Sequence, residues 1–137
     1  MEHENQSSRA MNILRWVAFL PGVLLAAWIT WFSVALLNRI TIGLQGINPD
    51  SFLSKVFIEF VSHALMGAAF VYVGAKISPF HKKIVAYALA AICLVLAGFM
   101  LFPSIMAANN WAIWGDISLI CGVGVTAYSV SIGETEL

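Results

Sequence analysis

Four long apolar stretches follow one another along the chain, separated by short polar segments. Trp16–Leu37 and Ile84–Phe102 run for 22 and 19 residues without a charged side chain, and Val56–Ala75 and Trp111–Ile132 each contain one carboxylate. A helix of about 20 apolar residues is long enough to cross the hydrocarbon core of a bilayer. The pattern therefore predicts four transmembrane helices. Their expected bounds are about 14–38, 56–76, 84–103 and 111–132.

The polar residues between and within these stretches predict where the helices turn or bend. Residues 48–51 read Asn-Pro-Asp-Ser, a turn-forming sequence in which Asp50 or Ser51 is a candidate cap for the second helix. Pro103 is expected to end the third helix, because proline cannot donate the backbone hydrogen bond that continues it. Pro21 lies about one turn into the first span and is expected to kink it or to end an interfacial segment.

These elements predict an all-α integral membrane four-helix bundle with short loops. Residues 13–133 form its single transmembrane domain. A polar cytoplasmic tail, residues 1–12, precedes this domain, and a short tail, residues 134–137, follows it. The first apolar stretch is about twice as long as the 7–15 residues of a signal-peptide core, so we expect it to remain in the mature protein.

The composition excludes several classes of protein. Of the 137 residues, 61% are apolar and 10% are charged, whereas a soluble domain has about 25% charged residues. A soluble enzyme, a nucleic-acid-binding protein and a disordered protein are therefore not expected, and the formal net charge of zero gives no attraction to nucleic acid. The two cysteines, Cys93 and Cys121, lie in different spans and are expected to serve as small packing residues.

The basic residues predict the orientation of the chain. With four spans, both termini lie on the same side of the membrane as the connection between spans two and three. That side carries five basic residues and the other side carries two. By the positive-inside rule, this predicts cytoplasmic termini in a bacterial inner membrane. The five are Arg9, Arg15, Lys76, Lys82 and Lys83, and the two are Arg39 and Lys55.

Small residues fall on one face of each span at helical spacing. Such faces let transmembrane helices approach closely, because lipid gives large apolar side chains the same environment as a neighbouring helix does. We therefore expect them to mark helix–helix contacts within the bundle or between copies. The residues are Gly22, Ala26 and Thr30 in the first span, Gly67 and Gly74 in the second, Ala90 in the third, and Gly115, Ser118, Gly122 and Thr126 in the fourth.

The second span carries the most informative polar residues. Glu59 and His63 are one turn apart and lie on the face that also holds Gly67 and Gly74. Because an ionisable side chain is costly in lipid, this face is expected to point toward protein or a water-filled cavity. Asp116 lies at a similar depth in the fourth span, and Arg39 ends the first, so all four are expected in one layer near the outer surface.

Three roles for this layer remain open at the level of the sequence. Glu59, His63 and Asp116 could exchange a proton for a cation, or they could ligate a divalent metal. Alternatively, Arg39 pairs with a carboxylate and fixes the arrangement of the helices. No cofactor is expected, because the chain has no phosphate-binding loop and no pair of histidines within the spans that would ligate haem.

The sequence contains no recognisable catalytic motif and no soluble domain. We therefore expect a non-enzymatic inner-membrane protein that is an accessory or self-assembling subunit of a membrane complex. Its expected partners are the lipid bilayer and either further copies of the chain or other membrane subunits. The alternatives are a small proton- or cation-coupled transporter or channel using Glu59, His63 and Asp116, and a membrane-permeabilising, holin-like effector.

Overall fold

The computed structural model describes residues 2–78 and 81–133, and within them the chain forms four α-helices. Each of the four is long and apolar enough to cross a membrane. The predicted all-α, four-helix architecture is therefore confirmed. The helices are α1 (Glu2–Leu44), α2 (Phe52–Ile77), α3 (Lys82–Met106) and α4 (Asn110–Ile132).

The helices extend beyond the predicted spans. The segment 2–12, which the sequence separates as a polar tail, is the beginning of α1, and α1 also continues to Leu44. The hydrogen bonds of an α-helix join backbone groups and form with polar and apolar side chains alike. A change in side-chain polarity therefore does not itself end a helix. Within α1, the apolar part that could span a membrane is Val17–Leu44. The short tail at 134–137 lies outside the described residues.

Side chains cap the helices that follow the two short turns. Ser51 is the N-cap of α2, and its hydroxyl accepts a hydrogen bond from the Ser54 amide at 3.3 Å. This decides between the two candidate caps in favour of Ser51. Asn109 caps α4 in the same way, with its side-chain oxygen 3.2 Å from the Ala112 amide.

Both internal prolines lie within continuous helices. The prediction that Pro103 ends the third helix is wrong, because α3 continues to Met106. Proline removes one backbone donor, and in the last turn of a helix this costs a single hydrogen bond. The turn is held by the Ala107 amide, which donates to the Pro103 carbonyl at 2.9 Å, and by the Ser104 hydroxyl, which donates to the Met100 carbonyl at 2.9 Å. The helix α1 likewise continues through Pro21.

Helix α2 lies at the centre of the arrangement. It packs closely against α1, α3 and α4, and α3 and α4 also pack against each other. Among the described residues, helix α1 approaches only α2 at close backbone distance. The turns at 45–51 and 107–109 lie at one end of the bundle, as the ring contact between Phe52 and Trp111 at 5.9 Å shows. We call this the two-loop end and the opposite end, with the α2–α3 connection, the one-loop end.

Small side chains dominate the buried interior. The main core cluster joins α2, α3 and α4 and consists of Val71, Ala75, Ala86, Ala90, Val123 and Val130. A second cluster at the one-loop end, formed by Phe19, Val23 and Leu89, joins α1 to α3 across α2. At Gly74, a methyl group in place of the hydrogen would collide with Leu89 and press on Val23. The absence of a side chain at Gly74 therefore lets α1 and α3 meet at this end.

Candidate functional site

Glu59 and His63 form a polar pair on α2. The His63 Nδ1 atom lies 3.1 Å from the Glu59 carboxylate and 2.9 Å from the Glu59 backbone carbonyl. The Glu59 side chain is 38% exposed and the His63 side chain 22%, so the pair is only partly screened from its surroundings. The spacing of four residues brings both groups to one side of the helix, as the sequence predicts.

The imidazole of His63 occupies the space between three helices. The indole ring of Trp31 on α1 meets it edge-on, with ring centroids 6.0 Å apart. On the other side, a Cβ atom at Gly115 of α4 would lie 3.2–3.3 Å from three atoms of the ring. Gly115 therefore makes room for His63, and the imidazole holds α1, α2 and α4 together at this level.

A cavity of about 320 Å³ lies beside this pair at the two-loop end, and we call it the polar cavity. It brings together one carboxylate, two basic side chains and two indole rings. The indole nitrogen of Trp31 is buried, and in the described part of the chain it has no hydrogen-bond acceptor. The lining residues are Trp31, Ala35, Arg39, Pro49, Lys55, Ile58, Glu59 and Trp111.

Arg39 forms its ion pair with Asp50 in the 45–51 turn and not with a carboxylate of the bundle. The guanidinium is 2.7 Å from the Asp50 carboxylate, and the Lys55 ammonium is 3.9 Å from it. All three side chains are about half exposed or more, so these pairs add little to stability. They tie the end of α1 to the start of α2 and hold the rim of the polar cavity.

Asp116 lies apart from Glu59 and His63 in its contacts. Its carboxylate is 3.3 Å from the Ser104 hydroxyl on α3. It lines a second cavity of about 320 Å³, between α1 and the other three helices, which we call the apolar cavity. The lining residues are Leu24, Ala27, Trp28, Met66, Gly67, Phe70, Cys93, Leu96, Ala97, Met100, Asp116 and Leu119. The structure therefore brings Glu59 and His63 into contact and places Arg39 in the lining of the same polar cavity as Glu59. Asp116 contacts α3 instead.

The small residues predicted at helix contacts fall into two groups. Those of α2, α3 and α4 are buried: Gly67, Gly74, Ala90, Gly115, Ser118, Gly122 and Thr126. Those of α1 are half-buried: Gly22, Ala26 and Thr30. The difference follows from the packing, because α1 has only one close helical neighbour and the other three helices have at least two.

Sequence reasoning missed the aromatic and loop residues of the polar cavity. Residue patterns in the sequence assign no site role to Trp31 or Trp111, which line this cavity, and do not predict the ion pair between Asp50 and Arg39. A signal for Trp31 was present in the sequence. Trp31, Ala35 and Arg39 follow one another at intervals of four residues, which places an indole and a guanidinium on one face of α1.

Among the residues that the structure describes, no group of three or more His, Cys, Asp or Glu side chains is arranged to hold a metal ion. Comparison of the chain with protein-family models, with curated proteins and with solved structures finds no match.

Proposed function

We propose that this chain is a small multi-pass membrane protein without enzymatic activity that acts as a self-assembling or accessory subunit of a membrane complex. Four apolar helices joined by short turns support the membrane location. The distribution of basic residues, five against two, supports cytoplasmic termini in a bacterial inner membrane. Reporter fusions at the two termini test this orientation, which requires that both report the cytoplasm.

The observation that carries the subunit role is the position of α1. In the described ranges the backbone of α1 closely approaches that of α2 alone, and its side chains meet α3 only at the one-loop end, while α2 is in close contact with all three other helices. Most of the circumference of α1 is therefore available to another helix. In a bilayer, large apolar side chains are satisfied by lipid, but small residues at a helix surface favour close approach of a second helix.

The small face of α1 supports the same role. Gly22, Ala26 and Thr30 are half-buried, and Ser33, which continues the same face, is exposed. At Gly22, an added methyl group would meet the Ile77 side chain of α2 at 3.9 Å, so α2 borders the face there. We infer that this face, residues 22, 26, 30 and 33, lies in the contact between two copies.

Cysteine cross-linking tests the proposed contact. Cys93→Ser and Cys121→Ser together remove the native thiols, and Ser33→Cys then places a single thiol on the small face of α1. Mild oxidation in membranes is expected to convert most of this protein to a disulfide-linked dimer. Val95→Cys is the matched control, because Val95 is exposed on α3 and has large neighbours. Equal and low yields from both positions would contradict the contact.

A second candidate function, proton or cation exchange, is favoured by one observation. Glu59, whose carboxylate lies 3.1 Å from the His63 imidazole, lines the polar cavity, which opens at the two-loop end. A carboxylate and an imidazole in contact can hold and release a proton, which is the chemistry that ion exchange across a membrane requires.

Flux measurements separate this candidate from the subunit role. In proteoliposomes with an imposed ion gradient, Glu59→Gln is expected to abolish proton flux while the protein still elutes as a folded species. His81→Gln is the control, because His81 is exposed at the one-loop end. If Glu59→Gln, His63→Ala and Asp116→Asn all behave as the unmodified protein does, the polar residues have a structural role.

A further inference from the structure

The apolar cavity contains a single charged group. Eleven of its twelve lining residues are uncharged, and most are aliphatic, aromatic or sulfur-containing; the twelfth is Asp116. The Asp116 carboxylate has the Ser104 hydroxyl at 3.3 Å, and no Lys, Arg or His in the described ranges lies within 4 Å of it. A carboxylate in apolar surroundings strongly favours a bound positive charge.

The Ser104 hydroxyl only partly compensates this charge. It has a single proton, and it lies closer to the Met100 carbonyl, at 2.9 Å, than to the carboxylate. The carboxylate therefore shares one donor with a backbone acceptor. This leaves capacity at Asp116 for a positively charged group.

The remaining walls suit an organic cation. Trp28 and Phe70 line the cavity from α1 and α2, and the electron-rich faces of aromatic rings attract cations. Aliphatic and thioether side chains, such as those of Leu24, Met66 and Met100, would surround the apolar part of such a molecule. A bare metal ion or an anion would find no suitable ligands in such a lining.

The packing of α1 gives access to this cavity. Helices α1 and α3 meet through Val23 and Leu89 at the one-loop end, but their backbones do not approach closely along their lengths. The cavity lies beyond this contact, with Ala27 and Trp28 on one side and Cys93 and Ala97 on the other. A ligand can therefore enter sideways between α1 and α3, from the medium that surrounds the helices.

We propose that the apolar cavity binds a lipophilic monovalent cation, an aromatic or aliphatic amine or quaternary ammonium, with its charge at Asp116. A volume of 320 Å³ holds about ten non-hydrogen atoms at the roughly 30 Å³ that a water-sized group occupies. Benzyltrimethylammonium is of this size and is the probe. The proposal goes beyond the subunit role and does not depend on it.

The two native cysteines provide the test. Cys93 lines the cavity, whereas Cys121 is exposed on α4 and is not among the lining residues. The Cys121→Ser protein therefore reports on the cavity, and the Cys93→Ser protein is its matched control. Each is treated with two methanethiosulfonate reagents of similar size, one carrying trimethylammonium and one carrying sulfonate, with rates normalised to a free thiol in solution.

Cys93 is expected to prefer the cationic reagent by at least tenfold more than Cys121 does. Asp116→Asn should lower this preference to the Cys121 value, and Asp116→Glu should keep most of it. In addition, benzyltrimethylammonium should slow the labelling of Cys93, whereas neopentylbenzene, its uncharged isostere, should not. This comparison uses the protein with Asp116 in place, so it is decisive even where Asp116→Asn fails to fold.

Equal preferences at the two cysteines would overturn the proposal, and so would equal protection by the charged and the uncharged probe. Lack of reaction of Cys93 with the small neutral methyl methanethiosulfonate would also overturn it, because the cavity would then be closed to ligands. None of these outcomes bears on whether the chain assembles, so failure of this proposal is distinguishable from failure of the subunit role.

Discussion

Gly122 determines how closely α4 approaches α2. A methyl group in place of its hydrogen would collide with the backbone of Ala64, which cannot move without moving the helix. Ser118 and Thr126 lie one turn to either side of Gly122 and are also buried. Their hydroxyls donate to the backbone carbonyls of Trp114 and Gly122 of their own helix, at 2.6 and 2.9 Å, so this surface presents no unsatisfied donor to α2.

Gly122→Ala is therefore expected to destabilise the bundle by about 1–3 kcal/mol, the usual cost of overpacking a tight interior. Thermal or denaturant unfolding in detergent measures the change. Gly124→Ala is the control, because Gly124 lies two residues away in the same helix and has no atom within 4 Å of an added methyl group. It should leave stability unchanged or slightly higher, since alanine favours the helix. Equal stability of the two variants would show that α2 and α4 are not in this contact.

Glu59, His63 and Asp116 show which contacts of the site can be predicted from residue spacing and which cannot. The pairing of Glu59 with His63 follows from their spacing alone, because residues four apart meet on a helix surface. The neighbours of Asp116 do not follow from spacing, since they depend on how α3 and α4 rotate against each other. Depth along a helix is readable from the sequence, but the direction of a side chain around it is set by the packing of small residues on all four helices.

At the scale of the element, the connection between α3 and α4 has an identifiable geometry. The Ala108 amide donates to the Ile105 carbonyl and the Asn109 amide to the Ser104 carbonyl, both at 3.0 Å. This is the Schellman arrangement that ends many helices, in which the C′ residue is left-handed and is usually glycine. Here Ala108 occupies that position, with φ +48°.

Ala108→Gly is expected to stabilise the protein, because a left-handed backbone costs an L-residue about 1–2 kcal/mol and costs glycine little. The greater freedom of glycine in the unfolded chain offsets part of this gain, which leaves about 0.5–1 kcal/mol. Ala107→Gly is the control: Ala107 has an ordinary right-handed backbone, so this change should lower stability. Unfolding midpoints of the three proteins, measured in one detergent, check the order, and a destabilising Ala108→Gly would contradict it.

Helix type was predictable for every element, but the helix ends were less so. Apolar stretches of about 20 residues predict transmembrane helices because unpaired backbone groups are costly in lipid. The same argument does not say how far each helix continues into polar sequence. It therefore does not predict that α1 begins at Glu2 or that α3 continues past Pro103. Local hydrogen bonds, such as those of Ser51, Asn109 and Ser104, decide these ends.

At the scale of the whole molecule, the bundle consists of three helices in mutual contact and a fourth, α1, that packs on one of them. This asymmetry could not be predicted from the sequence, since all four spans have small residues and similar apolarity. It leaves α1 with a small face that, within the described part of the chain, has α2 as its only close helical neighbour, and it opens the apolar cavity between α1 and α3. The proposed contact between copies and the proposed cation site both follow from it, on different faces of α1.

The mass of the protein in a bilayer tests the central claim most directly. The unmodified chain is taken directly from its membrane into nanodiscs, together with any protein bound to it, and its mass is measured by native mass spectrometry. The subunit role predicts a discrete multiple of the 14.9 kDa chain, or a defined stoichiometric complex with another membrane protein from the same membrane. A single 14.9 kDa species at every protein concentration, with no other chain bound, would contradict it.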